Sequence, residues 1–73
     1  MTTSSKTVKL IHEAGYAAEV EVTLIEEEHE WAPYLAPADI RRLDDVRLAL
    51  RRGDLRAASK LARIYELKPI AAA

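Results

Sequence analysis

The chain has 73 residues, 49% of them apolar and 32% charged, with no cysteine, no phenylalanine and a formal net charge of −1. A chain this short builds one small core rarely worth more than about 3–5 kcal/mol, which disfavours an enzyme with an enclosed pocket. Without cysteine there is neither a disulfide framework nor a thiolate metal site, no apolar run reaches the ~20 residues of a bilayer span, and the first six residues lack a signal-peptide pattern, so a cytoplasmic location is expected.

The near-zero net charge hides a lopsided chain. Residues 1–37 carry two lysines against seven glutamates, and residues 38–73 carry nine basic residues against five acids. The asymmetry suggests two surfaces of opposite sign, one suited to a basic partner and the other to an anionic one; solvated helix arginines and an acidic linker account for it equally well.

Residues 1–5 are polar and read as a flexible tail. From Lys6 the pattern has period two, with Val8 and Leu10 alternating with Thr7, Lys9 and Ile11. After Gly15, Ala18, Val20, Val22 and Leu24 alternate with Glu19, Glu21 and Thr23, so residues 6–25 read as a β-hairpin. Two registers compete. A two-residue loop, Ala14-Gly15, sets Lys9 opposite Val20 and Leu10 opposite Glu19. A three-residue loop, Glu13-Ala14-Gly15, sets Val8 opposite Val20, Leu10 opposite Ala18 and Lys9 opposite Glu19. The second gathers apolar groups on one face and opposite charges on the other, and is the register expected.

Residues 26–37 hold four glutamates and two prolines and read as an acidic linker anchored by Trp31, Tyr34 and Leu35. Aromatic anchors between prolines suit a protein interface; the same groups also suit a small core short of large apolar residues, and both readings stand. Pro37 fits the first turn of a helix over 38–52, in which Ile40, Leu43, Val46 and Leu50 share one stripe. Gly53 ends that helix and Asp54 caps a second, read over 54–66 with Leu55, Ala58, Leu61, Ala62 and Tyr65 on one face. Lys68-Pro69-Ile70 is suited to a short edge strand, and residues 71–73 to a tail. The fold class expected is α+β: an N-terminal hairpin, then two antiparallel helices (ββαα), in one domain over 6–70.

Chemistry-bearing clusters are scarce. His12 and His29 do not sit at metal-ligand spacing, no glycine-rich phosphate loop is present, and Ser59 has no histidine beside it along its helix. No catalytic, cofactor or metal residue is assigned. Arg56, Lys60 and Arg63 fall at i, i+4 and i+7 of the second predicted helix, a basic stripe able to meet phosphates.

The segments Trp31-Ala32-Pro33-Tyr34-Leu35, Leu43-Asp44-Asp45-Val46-Arg47, Ala49-Leu50-Arg51-Arg52-Gly53-Asp54-Leu55 and Lys60-Leu61-Ala62-Arg63-Ile64-Tyr65-Glu66-Leu67 resemble a group of short bacterial proteins, some of them similar to the antitoxin half of toxin–antitoxin pairs. The resemblance spans about residues 16–70. It implies that an acidic or apolar segment masks a basic toxin while a basic segment contacts nucleic acid.

The expected function is therefore a small protein-interaction module, not an enzyme, with antitoxin-like neutralisation of a basic toxin as its biology. Glu27, Glu30, Trp31, Tyr34 and Leu35 are its partner-binding residues. The alternatives are a nucleic-acid-binding protein using Arg56, Lys60 and Arg63, or a structural accessory subunit; a homodimer is compatible with each.

Overall fold

A computed structural model describes residues 2–29 and 31–71. Strand β1 (Thr3–Glu13) and strand β2 (Tyr16–Glu26) form a long antiparallel hairpin. A two-residue strand β3 (Tyr34–Leu35), helix α1 (Pro37–Arg51), helix α2 (Leu55–Leu61) and strand β4 (Arg63–Glu66) follow. The α+β class and the order of hairpin, two helices and C-terminal strand are as the sequence predicts. β2 lies at the centre of the sheet, paired with β1 along its whole length on one side and with β4 and β3 on the other.

The register differs from the expected one. Lys9 pairs with Val20, Leu10 with Glu19 and Glu13 with Tyr16, so the loop is the two residues Ala14-Gly15. Both take positive φ, 54° and 84°, as a type I′ turn requires. This turn follows the right-handed twist of its strands, and the core accepts it because β2 carries most of the apolar face. Ala18, Val20 and Val22 are buried under α1, and from β1 only Ile11 joins them. Val8 and Leu10 lie on the opposite face and are 54% and 66% exposed. Residues 3–5, read as tail, continue β1 by pairing with Glu26, Ile25 and Leu24.

The turn yields a test of this register. Ala14 is strained at positive φ, where Asn is tolerated better. Ala14→Asn should therefore raise the unfolding free energy by about 0.5–1 kcal/mol, read as a higher urea midpoint. A three-residue loop would place residue 14 in the right-handed region, and the substitution would then gain nothing.

α1 starts where Pro37 lacks only a donor that would have had no intrahelical partner. It stops in a Schellman motif: the Gly53 N–H donates to Leu50 O at 3.0 Å and the Asp54 N–H to Ala49 O at 2.8 Å, with Gly53 at φ 72°. Asp54 then caps α2, its Oδ1 accepting from the Ala57 N–H at 3.1 Å. Leu43, Val46, Ala49 and Leu50 of α1 pack on β2, together with Ala58 of α2. Ile40 is half-exposed on the flank of α1, off the buried stripe.

The second helix is shorter than its sequence pattern suggests. It ends at Leu61, Ala62 turns extended (φ −157°, ψ 166°), and residues 63–66 become β4, paired with Tyr16–Glu19. The strand lies upstream of Lys68-Pro69-Ile70, which has no regular structure. Alternating Ile64 and Tyr65 fit the pleat: Ile64 packs toward the core and Tyr65 lies on the outer face beside Ala17.

Between β4 and β3, the edge of β2 is closed by α1 itself. Asp39, only 7% exposed, accepts the Thr23 N–H at 2.7 Å through Oδ2. Arg42 donates to Glu21 O at 2.9 Å and lies 3.5 Å from Asp39 Oδ1. The Ala36 N–H donates to Thr23 O at 3.4 Å. Buried backbone groups need partners, and two charged side chains here replace a missing stretch of strand.

Candidate interaction site

β2 ends at Glu26, and the chain returns to it at Tyr34–Leu35, which pair with Ile25 and Leu24. The intervening loop is thus held at both ends by one short ladder. Within it the Tyr34 hydroxyl donates to Glu27 Oε1 at 2.7 Å, a charge-assisted bond across the loop. Pro33 fixes the backbone just before Tyr34. Glu26, Glu27, Trp31, Ala32 and Pro33 line a shallow pocket of about 160 Å³.

Trp31 is fully exposed, at 103% of its reference surface. Of the two roles open to it, core anchor and surface anchor, the second is the one its position permits. Tyr34 is 40% exposed, whereas Leu35 turns inward and packs against the core. Glu27 therefore shares the pocket with Trp31 and a hydrogen bond with Tyr34, while Leu35 fastens the end of the loop to the core. Glu30 lies outside the described residues. Glu26, Ala32 and Pro33, outside the expected partner-binding set, also line the pocket; the Pro33 between the two aromatics is the sequence signal for them.

The basic residues do not assemble as the sequence suggests. Arg56 and Lys60 are exposed on α2, but Arg63 stands on β4 opposite Glu19, so no i, i+4, i+7 helical stripe exists. The helix that would carry it ends two residues too early. Four arginines of α1 and the following turn are held by local acids: Arg42 by Asp39, Arg47 by Asp44 at 3.5 Å, Arg51 by Glu13 at 2.8 Å, and Arg52 by Asp54 at 4.0 Å. The hydrogen bond that Arg51 donates to Glu13, and then the charge of that carboxylate, hold the Arg51 guanidinium above its ordinary pKa, so it stays charged. Only Glu13 comes from the acidic half, so these pairs fix the arginines in place while the second half keeps most of its surplus positive charge.

His12 lies exposed on the outer face and His29 in the loop after β2. Among the described residues, no three His, Asp or Glu side chains converge as a metal site would need, and no helix is long and apolar enough to cross a membrane. Comparison with protein-family models, with curated proteins and with solved structures gives no match.

Proposed function

We propose that this protein is a small interaction module that grips a basic protein partner through the Trp31 loop, in the manner of an antitoxin that neutralises a basic toxin. The observation that carries this reading is the full exposure of Trp31 at a pocket edged by Glu26 and Glu27. Exposing a tryptophan forgoes the largest hydrophobic gain available to any side chain, in a domain with little stability to spare. Tryptophans displayed on structured loops are the commonest anchors of protein interfaces, and flanking carboxylates speed encounter with a positive surface. The antitoxin biology rests on the resemblance of residues 16–70 to a group of short bacterial proteins, some of them similar to antitoxins. Nucleic-acid binding ranks second, because Arg56, Lys60 and Arg63 do not share a helical stripe.

Trp31 is the only tryptophan, so its emission reports the site directly. Titration with the protein encoded beside this chain's gene should shift that emission to the blue as the indole leaves water. Trp31→Ala should leave unfolding free energy within about 0.5 kcal/mol of the parent, as for an exposed position. By calorimetry it should weaken partner binding by about 2 kcal/mol, roughly thirtyfold. Full-strength binding by Trp31→Ala, beside loss of nucleic-acid binding in an Arg56/Lys60/Arg63 triple alanine variant, would reverse the ranking.

A further inference from the structure

The two edges of the sheet are treated differently. Along β2 the edge facing away from β1 is closed step by step, by β4 at residues 16–19, by Arg42 at Glu21, by Asp39 and Ala36 at Thr23, and by β3 at residues 24–25. β1 is paired on one side only: among the described residues, β2 is its sole strand neighbour. The groups of β2 that point away from β1 belong to alternate residues, Glu21 and Thr23 among them. By the same alternation, the outward N–H and C=O groups of β1 are those of Ser4, Lys6, Val8, Leu10 and His12. An edge this long with no proline and no bulge is a ready template for another strand.

We propose that this edge pairs with the same edge of a second copy of the chain, β1 against β1 antiparallel, joining two sheets into one across a twofold axis at Val8. Three observations select a second copy.

The first is register. β1 runs from Thr3 to Glu13, so full-length antiparallel self-pairing puts its midpoint, Val8, opposite itself. Lys6 then faces Leu10 of the other copy, Ser4 faces His12, and Thr7 faces Lys9. Every outward backbone group of one copy meets one of the other, and no lysine meets a lysine. A register centred on Lys9 or Lys6 would set like charges directly opposite, which is unfavourable. The two lysines thus disfavour these two slipped pairings while permitting the full one.

The second is apolar content. Val8 and Leu10 are exposed on the outer face, flanked on β2 by Glu21 and Glu19. Self-pairing turns these isolated residues into a continuous patch of four across the seam.

The third is surface area. The chain exposes 5749 Å². A compact protein of 8.2 kDa exposes about 4,500 Å². The radius of gyration is 15.0 Å, where about 11 Å is usual for this length. The excess of roughly 1,200 Å² exceeds the ~800 Å² that one partner contributes to a standard stable interface. β1, paired on one side, is exposed along most of its length.

Sedimentation of the full chain tests this. The parent should sediment as a dimer at micromolar concentration. Val8→Pro removes an outward N–H that β2 does not use, so circular dichroism should show it folded and sedimentation should show a monomer. Val8→Lys places the new ammonium group opposite Glu21 within its own chain, which the monomer tolerates, but opposite its own copy in the dimer. It should weaken dimerisation at least about tenfold. An equimolar mixture of Val8→Lys and Val8→Glu chains should recover the dimer, because opposite charges then meet on the axis. A monomeric parent, or a dimer that Val8→Lys leaves at full strength, would overturn the proposal. Should Val8→Pro fail to fold, the Val8→Lys and mixing experiments decide alone.

Discussion

Val20→Lys should abolish folding, whereas Glu19→Lys should leave a folded protein with a slightly lower melting temperature. Val20 is completely buried between the sheet and α1, among Val22, Val46 and Leu50. Replacing it removes about 1.5–3 kcal/mol of apolar burial and forces an ammonium group into a cluster of apolar side chains. The sum reaches or exceeds the ~3–5 kcal/mol that a core of this size supplies. Glu19 is only partly buried on the outer face, opposite Leu10 and Arg63. A lysine there meets Arg63 and costs about 0.2–1 kcal/mol. Thermal melts followed by circular dichroism separate the two outcomes; equal melting temperatures would mean that the two side chains do not lie on opposite faces as described.

The next largest effect is expected at Asp39. Its carboxylate is the acceptor for the Thr23 N–H and the partner of Arg42, which in turn serves Glu21 O. Asp39→Ala leaves a backbone donor unsatisfied and releases Arg42 from one of its two contacts. The expected loss is about 1–3 kcal/mol. For a domain of this length each kcal/mol lowers the melting temperature by about 4–8 °C. Asp39→Asn keeps an acceptor oxygen in place and should recover part of the loss, whereas a purely electrostatic role would make Asn no better than Ala. Differential scanning calorimetry of the three proteins resolves this.

The parts of this fold that were legible in the sequence are those set by local chemistry. Pro37 at the start of α1, Gly53 after its end and Asp54 at the start of α2 each act where their backbone preferences place them. Alternation over residues 6–25 marks the hairpin, but its register differs from the one apolar matching favours, because β1 does not present Val8 and Leu10 to the core. Val8 and Leu10 instead face outward on a strand that α1 does not cover at its centre. The two-residue turn is one of the two registers the sequence offers, but Ala14 gives no hint of positive φ where an Asn would. Residues 62–66 satisfied a helical and a strand pattern at once. Pairing with Tyr16–Glu19, a contact distant in sequence, decided for the strand. At the loop, composition identified Trp31 and Tyr34 as anchors without saying what they anchor. Exposure separates the two roles, and exposure is a property of the folded chain.

The piecemeal closure of β2 makes that strand a ruler. β4, the Arg42 and Asp39 side chains, and β3 attach to it at successive positions along one edge. Strand residues alternate faces, so one residue inserted between Glu19 and Thr23 would leave β4 in step while turning the Asp39 receptor and the β3 site to the wrong side. One such insertion would break several attachments together. Insertions in the loop around Trp31 displace none of these contacts, so variation in chain length should be confined to that loop and to the residues beyond β4, while the spacing from Tyr16 to Glu26 stays constant among sequences that keep this fold.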